Sequence, residues 1–282
     1  MSEIIHILIP TWNRANMLKE TIHSVINQSY QYWVLTIVDN KSTDNTVQMI
    51  KKNYNKLIIQ KKIIIKTHDK FVAQGDNWTR CIKYIGKYKY FKFLGSDDLL
   101  DKNFLLTAIN SLKGTNDTIA GFTSGIRYID EANNQIGQRT YGFFGFELPI
   151  STFYRNYFGS PTSQVLKSKF FRNSKMPTFP YSGDVFYIYT YCYAKKRKLI
   201  FNKNLLADFR LWPEGDSGKL HSSDGVKNQR IEGRYICRDK ILKIMFKNSH
   251  FLFVFLFISK MIRIIEYIHF FCLNKLRACQ KF

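Results

Sequence analysis

Two adjacent carboxylates, Asp97 and Asp98, follow a short apolar segment, residues 90–94, that has the composition of a buried strand. A pair of carboxylates at the end of such a strand is unfavourable unless a positive charge lies beside it. A divalent cation bound to a phosphorylated ligand supplies that charge, and open α/β sheets bind ligands at the carboxyl ends of their strands. The pair therefore predicts a metal and phosphate site, and the alternative is a solvated turn.

The residues before this pair alternate between strand and helix patterns. Apolar runs typical of buried parallel strands occupy residues 4–9, 34–38, 58–66 and 90–94. Patterns typical of helices, with apolar residues on one face or cap-forming residues in front, occupy residues 16–28, 46–52 and 76–85. Strands that alternate with helices predict an α/β fold, with a mostly parallel central sheet flanked by helices and joined by right-handed crossovers.

The pattern changes after the carboxylate pair. Helices are predicted at residues 103–112 and 184–194, and strands at residues 120–129, 135–141, 162–171 and 199–211. No internal repeat and no low-complexity linker separates these elements. The sequence therefore predicts a second half built less regularly than the first.

The net charge limits the classes of partner. The 282 residues include 43 Lys and Arg against 21 Asp and Glu, a formal net charge of +22, which predicts an anionic partner. No basic stripe with base-stacking aromatics in a recognisable module is present, so a nucleic-acid binder is disfavoured. Five scattered cysteines without a CxxC pair, and no signal peptide, predict a reducing cytoplasmic setting.

The last part of the chain, residues 226–282, is basic and rich in apolar residues. Residues 240–282 hold eight Lys or Arg and one acidic residue, and the apolar run 251–258 is too short to cross a membrane. These features predict a helical, basic amphipathic extension at the interface of an anionic membrane. The alternative is a helical hairpin that packs against the rest of the chain or forms a homodimer.

Four segments, in this order, resemble family 2 glycosyltransferases of the GT-A fold. They are Ile9-Pro10-Thr11-Trp12-Asn13-Arg14, Ser24-Val25-Ile26-Asn27-Gln28-Ser29-Tyr30, residues 37–46 around Asp39, and Leu94-Gly95-Ser96-Asp97-Asp98. The resemblance implies a nucleotide-sugar-binding half at residues 1–110 and an acceptor-binding, catalytic half at residues 111–225. Residues 226–282 are then the membrane-associating tail.

The resemblance also implies roles for residues that bind the donor. Asp39 would accept a hydrogen bond from the nucleotide base, and its alternative is a turn residue that caps the next helix. Thr11 lies in a loop that contacts the nucleoside in the family, and its alternative is a helix cap. Nucleotide-sugar contacts are also expected from Asn13, Arg14 and Asn77.

For the carboxylate pair, the resemblance implies a division of roles. Asp98 would ligate Mn²⁺ or Mg²⁺ that bridges the donor diphosphate, because such ions prefer oxygen ligands. Asp97 would face the ribose or the outer coordination shell. Gly95 stands where a fuller D-x-D-D pattern has its first carboxylate, so the number of protein ligands is left open.

The resemblance implies transfer of a sugar with inversion, which needs one more carboxylate to deprotonate the acceptor hydroxyl. The family places it in an acidic motif that opens a helix, and Asp184 is the candidate here, with Asp208 as a weaker rival. Asp184 could instead be a helix-start residue placed favourably on the helix dipole. Arg210 is expected to contact phosphate oxygens, with a structural ion pair as the alternative, and Trp212 replaces a histidine frequent at its position.

Together these features predict an inverting, metal-dependent glycosyltransferase. The donor would be a nucleotide diphosphate-sugar, with uridine favoured by the habits of the family. The acceptor would be a lipid-linked saccharide of a capsule or O-antigen, met on the cytoplasmic face of the cell membrane. The alternatives are a catalytically inactive scaffold of the same fold and, less favoured, a nucleic-acid-binding protein.

Overall fold

The computed structural model describes residues 2–140, 160–177, 183–192, 195–213 and 215, with short groups of residues between 235 and 264. The first half alternates strands and helices as predicted. Its elements are β1 (Ile5–Thr11), α1 (Ala15–Ile26), β2 (Trp33–Asp39), α2 (Thr46–Ile59), β3 (Ile63–Thr67), α3 (Gln74–Ile82) and β4 (Tyr90–Phe93).

These four strands form a parallel sheet in the order β3-β2-β1-β4. Every residue of β1 is buried, because helices cover both faces of this part of the sheet, which explains its unbroken apolar sequence. Helix α1 packs Leu18, Ile22 and Val25 into the core, as their spacing predicts. The α/β fold is therefore confirmed in this half.

One boundary in this half was predicted wrongly. Helix α2 continues to Ile59, so the strand predicted at residues 58–66 begins only at Ile63. Ile50, Tyr54 and Ile58 recur at the helical spacing of four and pack on the core, so Ile58 belongs to the inner face of the helix. A turn at Lys61, whose φ is 54°, separates α2 from β3.

The second half extends the same sheet with strands of both directions. Its elements are β5 (Leu99–Leu100), α4 (Phe104–Leu112), β6 (Ile119–Ile129), β7 (Gln135–Arg139), β8 (Gln164–Lys167), α5 (Gly183–Tyr191) and β9 (Lys198–Arg210). The sheet continues β4-β8-β6-β9-β5, and β7 pairs with β6. Only the pair β6–β9 is parallel here, so the whole sheet is mixed and its parallel part is the first half.

The strand predicted at residues 162–171 is shorter than expected. Only Gln164–Lys167 is extended, between single 3-10 turns at Pro161–Ser163 and Ser168–Phe170. Pro161 begins the first turn, and the side chain of Ser160 caps it by accepting a hydrogen bond from the backbone N–H of Thr162. This turn holds Thr162 at the start of β8.

The strand directions bring distant segments to the two ends of the sheet. We call the end where β1, β2 and β4 finish the carboxyl end; β9 finishes there too, and the antiparallel strand β8 begins there. The opposite end, where these parallel strands begin and β8 finishes, is the amino end. Among the predicted site residues, Thr11, Asp39, Asp97, Asp98 and Arg210 lie at or directly after the ends of strands at the carboxyl end.

Most of the predicted tail lies outside the described residues. Of its described residues, Cys237 belongs to a buried cluster with Cys81, Phe171 and Cys192. Phe257, Met261 and Ile264 are exposed and follow one another at intervals of four and three. Among the described residues, the structure has no helix that is both long and apolar enough to cross a membrane.

Candidate active site

Asp98 is buried at the carboxyl end of the sheet, with 3% of its surface exposed. Its Oδ1 accepts a hydrogen bond of 3.0 Å from the backbone N–H of Arg210, and its Oδ2 accepts one from the Thr162 hydroxyl. Burial, followed by the charge of Asp97, raises the pKa of this carboxyl to about 7, against the opposing hydrogen bonds and the charge of Lys92. A cation beside Asp98 would therefore be strongly favoured.

Lys92, on β4, is a fully buried cation close to this carboxyl. Its Nζ donates hydrogen bonds to the backbone oxygens of Phe93 (2.9 Å) and Thr162 (3.1 Å), and it lies 5.0 Å from the centre of the Phe104 ring. Burial lowers its pKa to about 7, opposed by the charge of Asp98. Lys92 is not among the predicted site residues, although a lysine within an apolar strand is a visible signal.

Asp97 accepts hydrogen bonds from two side chains. The Trp212 indole N–H donates to its Oδ2 at 3.0 Å, and the Arg210 Nε donates to its backbone oxygen at 2.8 Å. The guanidinium of Arg14 lies 4.6 Å from the centre of the Trp212 ring. Trp212 thus orients the first carboxylate and links it to Arg14, a role that its position in the sequence did not reveal.

Gly95 gives the two carboxylates their common space. A Cβ atom on this glycine would lie 2.5 Å from Asp98 Oδ2 and 3.1 Å from Asp97 Oδ1. Both carboxylates therefore converge over a position that no larger residue can occupy without moving them. Because Gly95 has no side chain, the carboxylates of Asp97 and Asp98 can both approach it.

Arg210 is placed at the site, but its guanidinium points into the protein and is 0% exposed. It donates hydrogen bonds to the backbone oxygens of Asp130 (3.2 Å) and Glu131 (3.0 Å) as well as Asp97, and it forms a 2.8 Å ion pair with Glu20. This arrangement favours the structural alternative over a phosphate contact by the side chain. Its backbone N–H is the group that reaches Asp98.

Two buried polar atoms near the ends of β1 and β2 have no hydrogen-bond partner in the described part of the chain. They are Thr11 Oγ1 and Asn77 Oδ1, while the amide nitrogen of Asn77 lies 3.4 Å from the backbone oxygen of Val38. Buried polar atoms are rarely left unpaired, so each such atom needs an explanation. A ligand with polar groups at this place would supply the missing partners.

Asp39, which ends β2, is 2% exposed. Its two carboxylate oxygens accept hydrogen bonds from Ser42, at 3.0 Å from the backbone nitrogen and 2.5 Å from the hydroxyl. Asp39 therefore shapes the loop after β2, as the turn alternative requires. Each carboxylate oxygen has a further lone pair, so a base contact remains compatible with this geometry.

Asn13 joins the loops that follow β1 and β2. Its side-chain oxygen accepts a hydrogen bond from the backbone nitrogen of Thr43 (2.8 Å), and its backbone nitrogen donates to the Ser42 hydroxyl (2.9 Å). Its φ of 50° turns the chain so that the preceding residue, Trp12, is exposed. The Trp12 ring lies 5.0 Å from the ring of Phe71.

Of the two candidate bases, the structure describes the side chain of Asp208 but not that of Asp184. Asp184 lies in the first turn of α5, as predicted, but its side chain is outside the described residues, so its role as base stays a prediction. Asp208 forms a 2.5 Å ion pair with Arg127, which disfavours it as a base.

Comparison with known proteins relates this chain to one family of glycosyltransferases. The sequence pattern of the family described as "Glycosyl transferase family 2" matches residues 6–174. The putative teichuronic acid biosynthesis glycosyltransferase TuaG of Bacillus subtilis is 28% identical over 102 residues, which are 36% of this chain and 39% of that protein. The chain thus matches less than half the length of that relative.

Solved structures share the fold. Staphylococcus aureus TarS 1–349 in complex with UDP-GlcNAc superposes with a TM-score of 0.59 at 16% identity, over 88% of this chain and 72% of that one. The mannosyltransferase PcManGT from Pyrobaculum calidifontis, in complex with GDP-Man and Mn²⁺, gives a TM-score of 0.58 at 12% identity, over 91% of this chain and 68% of that one.

Proposed function

The chain belongs to glycosyl transferase family 2, and from that premise we propose that it transfers a sugar from a UDP-sugar to an acceptor in cell-surface polysaccharide synthesis. The single observation that carries the proposal is the convergence of Asp97 and Asp98 over Gly95 at the carboxyl end of the sheet. Ligands of open α/β sheets bind at that end.

The residues fit a divalent cation, Mn²⁺ or Mg²⁺. The two carboxylates offer oxygen ligands, and burial together with the charge of Asp97 raises the pKa of Asp98, so that a neighbouring cation is favoured. Asp98 would hold the cation directly and Asp97 would lie in its outer shell or contact the ribose. When bound, such a cation neutralises the charge that develops on the nucleoside diphosphate leaving group.

The nucleoside would lie across the ends of β1 and β2. Thr11 and Asn77 each present a buried polar atom that lacks a partner, and Asp39 keeps lone pairs free for a donor on the base. The exposed Trp12 ring offers a face on which a base can stack. The two similar solved structures are complexes with UDP-GlcNAc and with GDP-Man, and the resemblance to the family favours uridine.

Asp184 is the proposed base of an inverting transfer. The acceptor hydroxyl oxygen forms a bond to the anomeric carbon while the bond from that carbon to the diphosphate oxygen breaks, and the hydroxyl proton passes to the carboxylate. Asp184 begins a helix, where the dipole stabilises a carboxylate before it takes the proton.

The acceptor we propose is a lipid-linked saccharide at the cytoplasmic face of a membrane. The tail would bring the enzyme there: Phe257, Met261 and Ile264 are exposed at helical spacing, and Lys260 lies between them. Deletion of the residues after Lys240 should abolish sedimentation with anionic liposomes. Unchanged sedimentation, together with a shift from dimer to monomer on deletion, would instead assign the tail to a homodimer.

A thermal-shift comparison tests the donor and the cation together. UDP should raise the melting temperature when Mn²⁺ is present, because a ligand at 100 times its Kd stabilises the folded state by about 2.7 kcal/mol. Without Mn²⁺ the rise should be much smaller, because carboxylates hold a diphosphate through a cation. A larger shift with GDP would overturn the choice of uridine. Equal shifts with and without the metal would overturn the role of the cation.

An inactive scaffold of the same fold is the alternative, kept open by Gly183 at a position where the family usually has an acidic residue. Transfer or hydrolysis of a UDP-sugar that disappears in Asp184→Asn would exclude the scaffold. Absence of any nucleotide-dependent shift in melting temperature would favour it.

A further inference from the structure

A basic cleft lies at the amino end of the sheet. Its volume is about 290 Å³, and its charged lining residues are Lys87, Lys89, Lys167, Lys169, Arg172 and Asp117. These residues come from the approach to β4, the end of β8, the turn after β8 and the loop between α4 and β6. The end of β8 and the turn after it are continuous, so three separate segments bring five cations and one carboxylate to a single concave surface.

The cations of the cleft are only partly neutralised. Lys169 forms an ion pair with Asp117, and Lys89 forms one of 2.8 Å with Glu3. Lys87 and Arg172 are exposed and have no acidic partner in the part of the chain that the structure describes. Five positive charges against Asp117 and Glu3 leave an excess of three at this end of the sheet.

Lys167 forms the floor of the cleft and is buried, with 4% of its surface exposed. Its Nζ donates hydrogen bonds to the backbone oxygens of Thr115 (3.0 Å) and Asn116 (2.6 Å). Burial lowers its pKa, and the charges of Lys169 and Lys89 lower it further, against the opposing charge of Asp117. Like charges thus repel one another in the cleft, and an anion would relieve that repulsion.

A purely structural role explains only part of this arrangement. Lys167 donates hydrogen bonds to backbone oxygens that follow α4, where the helix dipole favours a cation. That role needs only Lys167 and does not explain why Lys87 and Arg172 line the same cleft. Three donors on an ammonium group and five on a guanidinium suit the oxygens of a phosphate.

We propose that the basic cleft binds a phosphate group that is distinct from the donor diphosphate. The donor site lies at the carboxyl end of the sheet, and the cleft lies at the opposite ends of β4 and β8, so one diphosphate cannot reach both. The phosphate comes either from a soluble ester or from the headgroup of an anionic lipid. Phe171, beside Arg172, belongs to the same buried cluster as Cys237 of the predicted tail.

The test compares two double variants of the full chain that lose the same charge. In Lys87→Gln/Arg172→Gln the unpaired cations of the cleft are removed. In the control, Lys51→Gln/Lys52→Gln, two exposed lysines of α2 are removed on another part of the surface. Binding of pyrophosphate is measured by calorimetry with a chelator present, and sedimentation is measured with vesicles of phosphatidylcholine alone or mixed with phosphatidylglycerol.

We expect the cleft variant to lose at least about tenfold in affinity for one of the two probes while the control keeps it, since each charge-assisted hydrogen bond that is lost weakens binding by about tenfold or more. A loss confined to pyrophosphate identifies a soluble phosphate, and a loss confined to phosphatidylglycerol vesicles identifies a lipid headgroup. Equal losses in both variants, or no binding of either probe by the native chain, would overturn the proposal. Neither assay contains donor or acceptor, so the result is independent of transferase activity.

Discussion

The two ends of one sheet present different ionisable groups. The carboxyl end gathers Asp39, Asp97 and Asp98 in a protein whose formal net charge is +22, whereas the amino end gathers the five cations of the basic cleft. Carboxylates can hold a phosphorylated ligand only through a cation, whereas lysine and arginine hold it directly. The two ends therefore use different chemistry toward the same kind of ligand.

A buried lysine at each end shows how surroundings decide the role of a residue. Lys92 and Lys167 each donate two hydrogen bonds to backbone oxygens, and burial lowers the pKa of both. At the carboxyl end the neighbouring charge is Asp98, which opposes that lowering. At the amino end Asp117 opposes it as well, but Lys169 and Lys89 add to it. The same side chain thus compensates a carboxylate in one place and contributes to an excess of positive charge in the other.

The largest effect is expected from Asp98→Asn. Loss of the charge should lower transfer at least about a hundredfold, because groups that stabilise developing charge at a reacting centre contribute about 100–1,000-fold. The asparagine keeps an acceptor for the N–H of Arg210, so the fold should persist. Glu3→Gln, which removes a carboxylate at the amino end, is the control and should keep its transfer rate. An active Asp98→Asn enzyme would remove the distinction between the two ends.

A smaller loss is expected from Gly95→Ala. The added Cβ would lie 2.5 Å from Asp98 Oδ2, so the carboxylate must shift, and transfer should fall about 10–100-fold, as it does when the support of a metal ligand is lost. Gly137→Ala is a matched control, because its Cβ would meet Tyr128 at 3.4 Å, an ordinary contact. Full activity in Gly95→Ala would mean that the carboxylates need not converge.

Much of the carboxyl end could be predicted because its signals are local. Apolar runs that end in polar residues predicted β1, β2 and β4, and the ends of parallel strands meet at one place whatever the loops do. The positions of Thr11, Asp39, Asp97 and Asp98 followed from that. The error at Ile58 is local too: a short apolar run fits a helix or a strand equally well.

What could not be predicted depends on contacts between distant parts of the chain. Thr162 reaches Asp98 across 64 positions and Trp212 reaches Asp97 across 115. The same holds for the inward turn of Arg210, which is set by Glu20. The basic cleft combines three segments that are distant in sequence, so the sequence showed only its charge and not its place.

Two aromatic pairs, one at the proposed donor site and one elsewhere, allow a matched test of where the nucleotide base lies. Trp12 and Phe71 form an exposed pair at the carboxyl end, with ring centres 5.0 Å apart, while Tyr30 and Tyr32 form a pair with centres 5.5 Å apart beside the start of β2. Trp12→Ala should raise the KM for the UDP-sugar about tenfold, since stacking of a base contributes about 1–3 kcal/mol. Tyr32→Ala should leave that KM unchanged, and equal effects of the two would contradict the placement of the base.

The smallest effect concerns Thr162, whose hydroxyl holds Asp98 in its charged form. Burial raises the pKa of this carboxyl and the hydrogen bond opposes that rise, with a net value of about 7, so Thr162→Val should raise the pKa further. A carboxylate is ionised only above its pKa, so Mn²⁺ binding by the native chain should weaken as the pH falls through about 7. In Thr162→Val the weakening should begin at a higher pH, whereas Thr162→Ser, which keeps a hydroxyl, should behave as the native chain. The measurement is the Mn²⁺-dependent rise in melting temperature as a function of pH, and a midpoint that stays in place or moves to lower pH would show that Thr162 does not act on Asp98.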